Sequence, residues 1–188
     1  MVAAADNPGS FPALVDVLSR GGVAIAPGDT MYGVLGIVPL SEPRIRRLKG
    51  RGEDKPFLQL IPDASWIDRL SDEQVPAGLA RHWPGPLTVV LPARAGGTVA
   101  VRVPDSLFLR ELLIAVGGPL YSTSVNRAGS APLVTVAAMR AEFEQEVDLI
   151  YDGGDMPPGP PSTLVDATTS PARILRQGAM LLTAADLG

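Results

Sequence analysis

The 188-residue chain has no cysteine and a single histidine, His82. Without cysteine there are no disulfides, thiolate metal sites or cysteine nucleophile, and the composition is compatible with a reducing compartment. One histidine leaves little room for histidine-based catalysis. His82 stands at a helix end beside Trp83, with no carboxylate at a familiar zinc-ligand spacing, and reads as structural. No apolar run reaches the roughly 18 residues that cross a bilayer. The start MVAAADNPGS lacks the basic residues and apolar stretch of a secretory signal, so a soluble, cytoplasmic protein is expected. There is no G-x-x-x-x-G-K-[ST], and no G-x-G-x-x-G follows a strand, which sets aside P-loop and Rossmann nucleotide sites. A net charge of −4 offers no general pull on nucleic acid. Asp29, Asp152, Asp155 and Asp166 are scattered over loops and no carboxylates pair by spacing, so the chemistry is not expected to need a protein nucleophile.

Lysine is scarce too: against 14 arginines there are only Lys49 and Lys55, on either side of a Gly-Arg-Gly turn. Six of the 16 cationic residues lie between Arg44 and Lys55. They can complement a helix C-terminus, worth ~0.3–1 kcal/mol each, or form a phosphate clamp in which lysine is the point charge and arginine the planar fork. YSTSVNRAG offers a second candidate, because Ser122, Thr123, Ser124 and Asn126 place hydroxyls and an amide at a strand end, suited to phosphate or ribose. In TVAVRVP, Arg102 alternates with Val101 and Val103, and alternation alone points it to solvent.

The 188 residues and 46% hydrophobic content suit one domain over 1–188 with a substantial core. Ser10 is expected to cap a helix with Phe11, Leu14, Val15 and Leu18 on one face, ended by Gly21 and Gly22. GVAIAP and TMYGVLGIV read as extended segments, Ser41 as the cap of a second helix ending near Gly50, and FLQLI as a buried strand. Short helical stretches are expected around Trp66 and from Asp72 to His82. PLTVVLP and TVAVRVP, joined by ARAGG, read as an antiparallel pair. A helix over Asp105–Val116, the strand PLYSTS, a helix over Thr135–Phe143, and strands VDLIYD, STLVDA and ARILR follow. GGDMPPGPP, before STLVDA, is either a mobile cover or a rigid connection. The interleaving implies an α/β sheet with helices packed on it.

The motifs PGDTMYGV, LKGRGEDKP, WPGPLTVVLP, VAVRVP, STSVN, PSTLVD and ILRQGA, in this order from about Gly22 to Ala179, resemble the YrdC-like family of threonylcarbamoyl-AMP synthases. The resemblance implies an open, twisted mixed α/β sheet with a large cleft. It implies a nucleotidyltransferase that joins L-threonine, bicarbonate and ATP, with magnesium carried on the phosphates, into threonylcarbamoyl-AMP and pyrophosphate. This product feeds the N6-threonylcarbamoyl modification of adenosine 37 in tRNA through downstream transferase proteins. By the same resemblance, Lys49 and Arg51 match the family's K-x-R and are the catalytic candidates. Ser124 and Asn126 match its S-x-N, and these four residues with Lys55 and Arg176 form the ATP site. Thr30, Arg102, Ser122 and Ser162 form the threonine pocket, which moves Arg102 into the cleft.

Three positions depart from the family pattern. Gly28 stands where a threonine is usual, Val125 replaces an alanine, and Ala128 replaces a serine. Gly28 removes a hydroxyl beside the amino-acid pocket, Val125 adds bulk toward the adenine or ribose, and Ala128 deletes a hydrogen bond. The alternatives are therefore a divergent paralogue making another carbamoyl adenylate, and a non-catalytic module binding nucleotide or double-stranded RNA.

Overall fold

The computed structural model describes residues 1–50, 52, 56–157 and 159–188. Arg51 and Lys55, two of the expected phosphate contacts, lie outside the described residues. None of the described helices is long and apolar enough to cross a membrane.

The apolar spacing that predicts the first helix produces α1 (Ser10–Ser19), with Leu14 and Leu18 fully buried and Gly21 at φ +80° just beyond it. Ser10 is the first helical residue rather than the cap, and its hydroxyl donates to Ala4 O at 2.6 Å. That carbonyl belongs to β1 (Val2–Ala4), which is too short to reveal itself by alternation. Ser41 occupies the cap position of α2 (Glu42–Lys49) without capping it. Its buried hydroxyl lies 3.1 Å from both Gly21 O and Gly22 O, tying this turn to the end of α1. Gly50, left-handed at φ 61°, terminates α2.

From Asp72 to His82 only α4 (Ala77–Ala80) is helical. Pro76 is the reason, since its ring drives the preceding residue out of the α region. Around Trp66, a 3-10 turn over Ala64–Trp66 leads into α3 (Ile67–Leu70), with Asp63 accepting from Ser65 N at 2.8 Å. Near the C-terminus, α7 (Ala184–Leu187) was not foreseen. Thr183 and Asp186 form a reciprocal capping box there.

The remaining strands are β2 (Val23–Ala26), β3 (Gly33–Ile37), β4 (Leu58–Leu60), β5 (Leu87–Pro92), β6 (Thr98–Arg102), β7 (Leu120–Ser124), β8 (Leu149–Asp152), β9 (Thr163–Asp166) and β10 (Arg173–Arg176). The described strands form one mixed sheet in the order β1-β8-β2-β3-β7-β4-β6-β5-β9-β10. As expected, β5 and β6 are antiparallel, with Val89 opposite Val101. Helices α5 (Leu107–Val116) and α6 (Val136–Phe143) complete the frame.

Register assigns the two faces. Val23, Ile25, Val34 and Tyr121 pack with Met139 and Phe143 of α6 and Ile45 of α2. Val89, Val101 and Val165 continue that face against Ile67 and Leu79 of α3 and α4. On the opposite face, Ala24, Leu35, Leu60 and Leu120 pack against Leu14 and Leu18 of α1 and Leu109, Leu112 and Leu113 of α5. Fully burying each leucine contributes about 1.5–3 kcal/mol. Helices α1 and α5 contact each other, and beside them the same sheet face lines an open cavity.

Candidate active site

The pairings Ser122–Leu35, Ser122–Leu58, Ser124–Gly33 and Leu58–Ala100 place these residues on one sheet face, which floors a cavity of about 530 Å3. Thr30, Arg102, Ser122 and Ser162, the four residues expected around an amino acid, all line it, as do Ser124 and Arg176. Strand pairing explains how the chain does this. Ser122 and Ser124 are two apart on β7, so both hydroxyl-bearing side chains reach the same face.

Arg102 corrects the expectation from alternation alone. It is 5% exposed although Val101 and Val103 are buried as well, because both faces of β6 are covered. A buried guanidinium needs a partner, and Asp29 supplies it: Arg102 Nη2 donates to Asp29 Oδ1 at 2.6 Å, with both side chains nearly inaccessible. Asp29 Oδ2 also accepts from Asp105 N at 3.2 Å. Burial pulls the Arg102 guanidinium below its ordinary value, Asp29 opposes this, and the nearby charge of Arg176 reinforces it. Arg102 Nε is buried with no acceptor among the described residues, so the fork retains donor capacity.

Ser162 Oγ lies 2.8 Å from Thr88 Oγ1 in a buried pair, and Arg176 Nη2 donates to Ser162 O at 2.9 Å. Thr88 also lines the cavity and was missed. A hydroxyl inside the apolar run PLTVVLP was the available signal, similar to an arginine inside TVAVRVP. Asp29 was seen only as one of several scattered loop carboxylates, because its pairing with Arg102 spans 73 residues.

At the neighbouring corner, Lys49 reaches back from the last turn of α2 and is 5% exposed. Its ammonium donates to Ser124 O at 2.6 Å and Asn126 Oδ1 at 2.5 Å. Ser124 Oγ donates to the same Asn126 oxygen at 2.6 Å. Lys49, Ser124 and Asn126, expected to share a nucleotide, are thus one hydrogen-bonded cluster. Ala128 N donates to Lys49 O and Arg127 Nη1 to Leu48 O, stitching the loop after β7 to the end of α2. Other cations of this stretch have structural partners: Arg44 pairs with Asp148, and Arg46 with Glu42.

The departures from the family pattern take on new meanings here. A Cβ at Gly28 would sit 2.2 Å from Met31 O, so the tight turn itself excludes a side chain. Val125 is fully buried in the core with Val136 and Met139, and its bulk does not enter the cavity. Ala128 is exposed and keeps its backbone contact to Lys49. His82 donates or accepts through Nε2 at 2.7 Å from Asp186 Oδ1, a role in anchoring α7 that agrees with its structural reading.

The segment after β8 crosses the cavity rim, where Gly159 and Pro161 line the opening. Its first residues are tied down: Gly153 N donates to Tyr32 Oη at 3.0 Å, and Tyr32 Oη donates to Gly154 O at 2.7 Å. Burial raises the Tyr32 phenol above its ordinary value and keeps it a donor. Asp155 Oδ1 accepts from Val136 N at 2.8 Å, so residues 153–155 behave as a fixed connection.

Residues 16–178 match the Sua5/YciO/YrdC family, described as "Telomere recombination". The chain is 36% identical over 191 residues to the threonylcarbamoyl-AMP synthase of Thiobacillus denitrificans, covering 94% of this chain and all of that protein. It is 31% identical to the threonylcarbamoyl-AMP synthase of Pyrococcus abyssi, covering 88% of this chain and 53% of that one. Among solved structures, P. abyssi Sua5 complexed with L-threonine aligns with a TM-score of 0.85 at 26% identity, over 95% of this chain and 57% of that chain. E. coli YciO aligns with a TM-score of 0.81 at 25% identity, over 95% of both chains. Sequence similarity through the cavity motifs and the shared sheet lead to one assignment: the chain belongs to the Sua5/YciO/YrdC family.

Proposed function

We propose that this chain is a threonylcarbamoyl-AMP synthase, a nucleotidyltransferase that uses L-threonine, bicarbonate and ATP. The observation that carries the reading is one cavity holding Arg102, Thr30, Ser122 and Ser162, with Lys49, Ser124 and Asn126 clustered at its edge. In this reading the arginine takes the amino-acid carboxylate as a fork, and the hydroxyls orient the amine and side chain toward the nucleotide. The carbamate, formed when the amine's N–C bond to bicarbonate replaces a C–O bond and water leaves, is itself an oxygen nucleophile. It attacks the α-phosphate, a new P–O bond forms, and the bond to pyrophosphate breaks.

Such a displacement needs alignment and charge neutralisation rather than a covalent enzyme intermediate, which suits a chain without cysteine. Lys49, together with Arg51 and Lys55, faces the phosphates in this reading, and Arg176 lies toward the nucleotide. In this reading magnesium enters as part of the nucleotide complex, carried on the phosphates. The adenylate then passes to downstream transferase proteins and tRNA. Arg44 and Arg46 spend their charge on Asp148 and Glu42, which gives no support to a broad double-stranded RNA surface.

The test is pyrophosphate release from ATP, bicarbonate and magnesium, with L-threonine, other amino acids or none, followed by mass spectrometry of the adenylate. Threonine-dependent release of the matching product is expected. ATP binding without it would assign the cavity to another acceptor.

A further inference from the structure

Asp29 has no place in the substrate contacts described above, yet its environment is unusual. Its carboxylate is nearly inaccessible and joins Arg102 of β6 to Asp105 N at the entry to α5. Arg102 lines the cavity, whereas Asp29 sits behind it and does not. Among the described residues, only Nη2 of the guanidinium meets an acceptor, and Nε is buried without one. A long side chain anchored at one nitrogen loses rotational freedom before any ligand arrives, and its remaining donors are held for an incoming oxyanion.

The turn that delivers Asp29 is equally constrained, since Gly28 closes onto Met31 O where no Cβ fits. The next residue, Thr30, lines the cavity. One turn therefore supplies a cavity hydroxyl and, from its preceding residue, the anchor of the cavity arginine.

We infer that Asp29 is a positioning residue of the amino-acid site, holding the Arg102 guanidinium in the geometry that receives a substrate carboxylate. This rests on the reading of Arg102 as the carboxylate-binding group. Asp29 acts on amino-acid affinity through Arg102, and has no direct effect on the Lys49 corner, which is built from α2 and β7.

Steady-state kinetics of Asp29→Ala, Asp29→Asn and Arg102→Ala test this. Asp29→Ala should raise KM for L-threonine about tenfold or more, with KM for ATP within about twofold. Asp29→Asn, which keeps an oxygen acceptor but no charge, should fall between it and the parent. Unchanged threonine KM in both Asp29 variants, while Arg102→Ala raises it, overturns the positioning role and spares that of Arg102. Unchanged threonine KM in Arg102→Ala overturns both. Equal losses for threonine and ATP would mark a general scaffold contact and also overturn the inference. A readout needing no variant is the Arg102 side-chain NMR spectrum of the ligand-free protein: restricted guanidinium rotation is expected, and free rotation contradicts the anchor.

Discussion

The cavity region around Arg102 and the corner around Lys49 each bury a cation to 5% exposure, but they satisfy it differently. Arg102 donates to a carboxylate brought from a distant loop, and Lys49 to a backbone carbonyl and an amide oxygen of the β7 loop. Pairing with Asp29 offsets the arginine charge and fixes its direction. Donation to Ser124 O and Asn126 Oδ1 holds the lysine's ammonium at the end of β7, the corner that the proposed reading gives to phosphate. In the proposed reading the first region orients a carboxylate and the second places a cation beside phosphate.

The largest expected effect tests the charge side. Lys49→Ala should lower ATP turnover by about 100-fold or more, on the scale of other groups aimed at developing charge, while threonine affinity measured by calorimetry stays near that of the parent. A comparable loss of threonine affinity would merge the two regions into one. Arg102→Ala should do the reverse, weakening threonine binding by about tenfold or more with ATP binding retained.

Gly28→Thr sharpens the orientation side. It restores the residue usual in the family, yet its Cβ would meet Met31 O at 2.2 Å. A loss of about 1–3 kcal/mol is expected, read as a lower Tm, with no gain in threonine affinity. An unchanged Tm would show that the turn adapts readily.

Away from both regions, Asp186 provides a pH-dependent control. The Thr183 hydroxyl, His82, the Thr183 backbone N–H and Arg81 hold its carboxyl well below the usual carboxylate range. As pH falls, the unfolded chain takes up this proton before the folded one does, so the contribution is complete above the ordinary carboxylate pKa near ~4 and fades at lower pH. The Tm difference between the parent and Asp186→Asn should therefore be greatest above about pH 5 and shrink toward pH 2. A difference independent of pH would place the effect in packing. The smallest effect belongs to Arg44→Ala, whose partly exposed pair with Asp148 should contribute about 0–1 kcal/mol and leave both substrate affinities unchanged.

Much of this was legible in the chain because the information is local. Leu14 and Leu18 mark α1 by helical spacing, Gly50 ends α2, and the alternation through PLTVVLP and TVAVRVP produces the β5–β6 pair. The ordered motifs identified the family and nominated Thr30, Arg102, Ser122, Ser162, Ser124, Asn126, Lys49 and Arg176. Errors arose where a local signal met a distant partner. Ser10 and Ser41 have the chemistry of helix caps, but carbonyls at Ala4, Gly21 and Gly22 take their hydroxyls. Val125 reads as a steric change in a binding loop, and core packing absorbs it.

By itself, then, the sequence determined most of the secondary elements, the family and most of the polar side chains that line the cavity, since periodicity, turn residues and motif order act over short spans. Tertiary structure decided what those side chains do before a ligand arrives. Whether Arg102 faces solvent or a cavity depends on what covers both faces of β6. Its anchoring by Asp29 and the capture of Lys49 by Ser124 and Asn126 are contacts between residues more than 70 positions apart. No one-dimensional pattern encodes them, because they exist only once the mixed sheet sets its register and brings the ends of separate strands to one face.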